Sequence, residues 1–127
     1  MTPLLAQTAE FALDLLEKNG VLLPFCKLTD RAGAPIYISP SGGGERAEES
    51  VRVELARRLG RKEVSAFAVC SDVEVKFAHE PVAQRRLKIE FQDGTDDTGV
   101  YYFPLTLRDG VASLGQYLLA DVPKKEL

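Results

Sequence analysis

The chain has 127 residues, 45% of them hydrophobic and 28% charged, and a net charge of −3 at pH 7; this is typical of one globular domain, here spanning residues 1–127. The acidic balance argues against a nucleic-acid partner, because binding to phosphates needs a basic surface. No apolar run approaches the roughly 20 residues that cross a bilayer, and the first residues do not resemble a signal peptide, so we expect a cytoplasmic protein without a membrane partner.

The first 38 residues predict a helix followed by a hairpin. Thr2 can cap the helix and Pro3 suits its first turn, where the missing N–H needs no partner. Apolar residues then recur at helical spacing as far as Leu16, with polar residues on the opposite side, and Asn19-Gly20 should end the helix. Residues 25–28 and 36–38 indicate two short strands joined by turn residues, and the proline before the second strand favours the edge of a sheet.

A glycine-rich loop leads into a second predicted helix over residues 45–59. Its apolar residues recur every four positions along one face, which is the spacing of an amphipathic helix. Glu48 precedes Arg52 by four residues, and Glu54 precedes Arg58 by the same interval. We therefore expect two ion pairs along the helix surface.

Strand patterns dominate the rest of the chain. Residues 65–77 are apolar at odd positions, while their even positions are small and apolar at first and charged later, so we expect a strand whose first half is covered on both faces. Residues 86–92 alternate between apolar and polar positions, and residues 101–107 present a third apolar face. Pro104 favours an edge position for this third strand, because proline cannot donate a ladder hydrogen bond. Residues 111–127 leave two alternatives open, a short helix or an irregular docked segment.

These elements predict an α+β fold: a mostly antiparallel sheet of about five strands with two main helices, in the order α-β-β-α-β-β-β plus an uncertain C-terminal element. The simplest packing lays both helices on one face of the sheet. Ala66, Ala68 and Cys70 form a small apolar stripe on the strand face opposite the main core, and an uncovered stripe marks an interface. If the helices share a face, we expect a second copy to cover it; if they lie on opposite faces, the chain covers it itself.

The glycine-rich loop is the candidate ligand site. Gly42, Gly43 and Gly44 precede a helix start at Glu45-Arg46, where backbone amides and Arg46 can face an anion. The P-loop pattern requires a lysine followed by serine or threonine at this point, and the sequence lacks both. The alternative is a flexible connection.

No sequence pattern predicts a catalytic residue, a metal site or a cofactor. Cys26 and Cys70 lie far apart among apolar residues, and His79 is the only histidine, so the usual zinc-ligand spacings are absent. The acidic turn at residues 93–97 does not match the calcium-binding EF-hand loop. A cysteine–histidine nucleophile pair is not forbidden by the spacing, but no motif surrounds either thiol.

Residues 67–75 (FAVCSDVEV), 87–94 (LKIEFQDG) and 101–104 (YYFP) together resemble a pattern in small uncharacterised bacterial proteins. That resemblance implies alternating strands and one turn, and it carries over no functional residue. The order of elements also loosely resembles profilin-like and roadblock-like sheets, which host many functions.

The sequence favours a small non-enzymatic binding or protein-interaction module, with another protein or a second copy of the chain as its partner. The alternative is a small enzyme or ligand-sensing domain with its site between the glycine-rich loop and the sheet.

Overall fold

The structure is a computed structural model that describes residues 2–94, 97–121, 125 and 127. The described residues form two helices, α1 (Pro3–Asn19) and α2 (Arg46–Gly60). The strands are β1 (Phe25–Asp30), β2 (Pro35–Ile38), β3 (Val64–Val75), β4 (Gln84–Asp93), β5 (Asp97–Arg108), β6 (Val111–Leu114) and β7 (Leu118–Ala120). Every strand pairing is antiparallel. The predicted α+β class is confirmed, with seven strands in the described residues instead of about five.

The strands follow the order β2-β1-β3-β4-β5-β6 across the sheet, and β7 pairs with β5 beside β6. The edge position predicted for β2 from Pro35 is therefore confirmed. Helix α1 begins and ends as its sequence predicts. Thr2 Oγ1 accepts a hydrogen bond from the Leu5 N–H at 3.2 Å, and Gly20 ends the helix at a φ of 75°, a left-handed conformation that glycine adopts without strain.

The helices lie on opposite faces of the sheet. On one face, Ala66, Ala68 and Cys70 of β3 share a buried cluster with Leu5 and Leu16 of α1. On the other face, β3 contributes Phe67 and Val69 to a second cluster that contains residues of α2. The expectation that both helices share one face was wrong, because the first half of β3 is apolar on both sides and each side needs cover.

Helix α2 carries both predicted ion pairs. Arg52 Nε lies 3.5 Å from Glu48 Oε2, and Arg58 Nε lies 2.9 Å from Glu54 Oε1. Arg52 also reaches across to β4, where its Nη1 lies 3.1 Å from Glu90 Oε2. The contact with Glu90 therefore joins α2 to β4, although the helix packs mainly on β1, β2 and β3.

β6 and β7 form one outer strand interrupted by a bulge. Leu105 faces Leu114 and Tyr102 faces Leu118, so the outer strand has one more residue than β5 between these two pairs. An extra residue of this kind is a β-bulge, and it moves every later side chain to the opposite face. Residues 111–114 and 118–120 are therefore strand, where the sequence left a helix or an irregular segment open for residues 111–127; residues 122–124 and 126 lie outside the described residues.

The bulge also explains why Pro104 lies inside the sheet. β5 is flanked by β4 on one side and by β6 and β7 on the other, so the predicted edge position was wrong. Pro104 accepts a hydrogen bond from the Gly115 N–H at 2.9 Å. The missing N–H of Pro104 points toward the same strand, where the bulge interrupts the ladder and needs no donor.

The β3–β4 hairpin is organised around a buried arginine. Arg86 is 3% exposed, forms an ion pair with Glu80, and donates from Nη1 to the Val75 carbonyl oxygen at 2.9 Å. Its guanidinium carbon lies 4.5 Å from the centre of the Phe77 ring, a cation–π contact. Arg86, together with the Phe77 N–H, holds the pKa of Glu80 at about 2, below its usual 4.5.

Phe67→Ala should reduce the free energy of unfolding by about 3–5 kcal/mol, because it removes a buried ring and leaves a cavity in the α2 cluster. Phe67 is 2% exposed, whereas Val53 on the outer side of α2 is 63% exposed. Val53→Ala is the matched control and should change stability by less than about 0.5 kcal/mol. Guanidinium chloride unfolding measures both, and equal losses would contradict the packing described for β3.

The Arg86–Glu80 pair should stabilise the fold above about pH 4.5 and lose that effect as the pH falls toward 2. The sign follows because the folded state binds the Glu80 proton more weakly than the unfolded chain does. Glu80→Gln should therefore flatten the dependence of unfolding free energy on pH over this window. Glu74→Gln, an exposed glutamate on the same hairpin, is the control in urea unfolding at several pH values, and an unchanged slope for Glu80→Gln would refute the assignment.

Candidate functional site

The glycine-rich loop borders an open cleft with a volume of about 840 Å³. The cleft lies between the end of β2, the loop and the first turns of α2. Gly42 and Arg46 line it, as do Ser41, Glu49 and Ser50. Two of the four residues predicted as ligand contacts are thus brought together here, whereas Gly43 and Gly44 are not part of the lining.

Hydrogen bonds hold the loop against α2. The Ser41 N–H donates to Ser50 Oγ at 3.1 Å, and the Ser50 hydroxyl donates to the Ala47 carbonyl oxygen at 2.8 Å. Gly44 has a φ of 61°, and its carbonyl oxygen accepts from the Ala47 N–H at 3.2 Å. The loop is therefore tied to the first turn of the helix by a chain of backbone and serine contacts.

The charges around this cleft are mixed and exposed. Arg46 and Glu49 are both exposed, and Glu54 at the far end is engaged by Arg57 and Arg58. The hydrogen bond from Arg57 lowers the pKa of Glu54 to about 2. An open cleft with both signs of charge suits a small polar ligand, but it places no buried charged group where it would select one.

The two thiols lie on opposite faces of the sheet and are protonated at neutral pH. Cys26 belongs to the α2 cluster and Cys70 to the α1 cluster, and both are fully buried. Burial raises the pKa of Cys26 to about 12 and raises the pKa of Cys70 as well. His79 is exposed on the β3–β4 hairpin, where its ring stacks on Phe77 at 6.3 Å. The structure therefore does not bring the thiols and the histidine together.

The residues with potential metal ligands are dispersed. Within the described ranges, no group of three or more histidine, cysteine, aspartate or glutamate side chains is placed to hold a metal ion. Asp93 and Asp97 face each other across β4 and β5, and Asp96 lies outside the described residues.

The apolar stripe of Ala66, Ala68 and Cys70 is covered by α1. These residues are 7%, 0% and 0% exposed, and their neighbours in the cluster come from α1 and from β4 and β5. The candidate interface residues are thus buried inside the chain and are not exposed to a partner. The intramolecular alternative, which follows from helices on opposite faces, is the arrangement found.

Sequence reasoning missed an exposed apolar segment on the outer strand. Tyr117, Leu118 and Leu119 are 44%, 42% and 55% exposed, and we call residues 117–119 the open edge. The Tyr117 ring packs on Tyr101 at 4.7 Å, while Leu119 packs where Gly99 has no side chain. The strand beyond the bulge has no second neighbour among the described residues. A regular alternation of apolar and polar residues would have predicted a strand here, but the bulge interrupts that alternation.

No family model, curated protein or solved structure matches this chain. No helix in the described part of the chain is long and apolar enough to cross a membrane. The function is therefore argued from the geometry of the molecule.

Both thiols should resist alkylation in the folded chain. Because only the thiolate reacts and both groups are buried and protonated, iodoacetamide labelling at about pH 8 should be at least roughly 100-fold slower than in the unfolded chain. Mass spectrometry of the native and guanidinium-unfolded chain measures the two rates. Rapid labelling of either cysteine in the native chain would restore the thiol-catalysis hypothesis.

Proposed function

We propose that this chain is a non-enzymatic protein-interaction module that binds through the open edge, and that its partner there is a second copy of the same chain. The observation that carries the proposal is the exposure of three consecutive large apolar side chains, Tyr117, Leu118 and Leu119, on an outer strand. An outer strand presents unpaired backbone N–H and C=O groups, which pair readily with another strand.

The two edges of the sheet differ in the features that hinder pairing with a further strand. β2 begins with Pro35, and proline removes a donor from that edge. Residues 111–120 read VASLGQYLLA and contain neither a charge nor a proline, the two devices that commonly block edge pairing. The bulge bends the middle of this strand, but residues 118–120 remain in register with β5. The far edge is therefore the one suited to accept a further strand.

A second copy suits this edge because the segment is uncharged. Two copies of one strand can pair antiparallel about a two-fold axis, so each residue meets the same surface that it presents. Like charges facing each other across such an axis would oppose pairing, and residues 111–120 supply none. Leu118 and Leu119 point to opposite faces of the sheet, so apolar contacts form on both sides of the joint.

The alternative function is binding of a small polar ligand in the cleft at the glycine-rich loop. The volume of about 840 Å³ and the exposed Arg46 favour it, and an enzyme or sensor would place its site there. This alternative predicts no dependence on the open edge, so the two functions separate in one set of variants.

Leu118→Lys should convert a dimer into a monomer, because each copy would bring a lysine into an otherwise apolar joint. Multi-angle light scattering should give twice the 14.0 kDa chain mass for the natural chain and the single mass for the variant. Val53→Lys places the same charge at another exposed apolar site, on α2, and should remain dimeric, as should Arg46→Ala in the cleft. A natural chain that stays at 14.0 kDa over a dilution series, or a dimeric Leu118→Lys variant, would overturn the proposal.

A further inference from the structure

A buried glutamine on β4 holds the backbone of the C-terminal segment. Gln92 is 1% exposed and points to the face that α2 covers. The Lys125 N–H donates to Gln92 Oε1 at 2.7 Å, and Gln92 Nε2 donates to the Lys125 carbonyl oxygen at 2.8 Å. Nε2 also donates to the Gly94 carbonyl oxygen at 3.1 Å. The amide therefore binds both the N–H and the C=O of one residue, as a neighbouring strand would.

Both hydrogen bonds are made to the backbone of Lys125, so the contact does not depend on which side chain the bound residue carries. Both Nε2 hydrogens and Oε1 of Gln92 are used when Lys125 is in place, so removing that backbone leaves Oε1 and one Nε2 hydrogen without their partners. Any extended residue that offers an N–H and a C=O satisfies them equally. Gln92 thus forms a general clasp for an extended chain.

A groove between α2 and β4 lies beside the clasp, and Lys125 itself forms part of its lining. It has a volume of about 470 Å³, and Leu55, Ala56 and Leu59 form its apolar wall on the α2 side. Glu90 lines the opposite side and is already paired with Arg52. Two residues beyond Lys125, Leu127 packs against the apolar cluster under α2. The site therefore binds a backbone at Gln92 and, two residues further along the segment, an apolar side chain.

We propose that the positions of Lys125 and Leu127, together with the groove beside them, form a binding site for an extended peptide segment of a partner protein, and we call this site the tail groove. The segment presents its backbone to Gln92 and an apolar side chain two residues later to the cluster under α2. Lys125 and Leu127 occupy these positions within the same chain and act as a competing ligand. The tail groove lies on the face of α2 and is separate from the open edge, so it requires no dimer.

The contacts of the native segment make exchange feasible. Its described contacts with the tail groove are the two backbone hydrogen bonds to Gln92 and the packing of one partly buried leucine. A partner segment can supply every one of these contacts. An external segment therefore binds only after displacing the internal one, and weakening the internal contact should strengthen external binding.

The test uses the full chain with one backbone donor removed. Lys125→Pro deletes the N–H that Gln92 Oε1 accepts, whereas Lys125→Ala keeps it and removes the side chain. The probe is a fluorescent peptide with the sequence of residues 121–127, DVPKKEL, followed by fluorescence anisotropy. We expect the Lys125→Pro chain to bind the probe at least roughly 10-fold more tightly than the Lys125→Ala or natural chain does.

A second peptide keeps the test independent of protein folding. Replacing its second lysine, at the position of Lys125, by proline should weaken binding to the Lys125→Pro chain by at least roughly 10-fold. Adding Leu118→Lys to that chain should leave peptide binding unchanged, so failure at the open edge and failure at the tail groove are distinguishable. Equal affinity for all three chains, equal affinity for both peptides, or no binding at all would overturn the proposal.

Discussion

The fold depends on a central strand that has no solvent face along its first half. From Ala66 to Ser71 every residue of β3 is buried, so the strand needs a neighbour on each edge and a layer on each face. β1 and β4 supply the neighbours, and α1 and α2 supply the layers. A sheet with both helices on one face would leave Phe67 and Val69 in water, and burial of such side chains is the main favourable term in folding.

The two layers do not extend equally far across the sheet. α1 reaches over β3 and β4 as far as β6, whereas α2 packs mainly on β1, β2 and β3. On the α2 face, β4 therefore presents polar side chains, including Glu90 and Gln92. Arg52 pairs with Glu90, and Gln92 takes the backbone of Lys125. The tail groove therefore lies over β4, beyond the strands that α2 mainly covers.

Local signals gave the helices correctly, because their determinants lie within a few residues of each other. Thr2 and Gly20 fix the ends of α1, and the Glu48–Arg52 ion pair follows from spacing on one helix. The role of Gln92 could not be predicted, because it sits at a polar position of an alternating strand and its partner lies 33 residues away. Which face a polar residue shares with an apolar cluster depends on strand register, which is set by the whole sheet.

The bulge between β6 and β7 shows how one non-local feature can make several predictions from local sequence fail together. The bulge places Tyr117 on the same face of the sheet as Leu114, three residues earlier. Apolar residues three positions apart are also typical of one face of a helix, so the spacing in the sequence is compatible with both structures. The bulge also accommodates Pro104 inside the sheet, and it requires Gly115, where a Cβ atom would lie 3.2 Å from the Pro104 Cβ.

Beyond the bulge, Leu118 faces Tyr102 and Leu119 faces Tyr101, so these two consecutive leucines lie on opposite faces of the edge. An ordinary alternation would have placed one polar face toward water along this strand. The bulge lets a proline occupy an interior strand and sets which face each residue of the open edge takes, whereas the run of consecutive apolar residues makes that edge apolar on both sides.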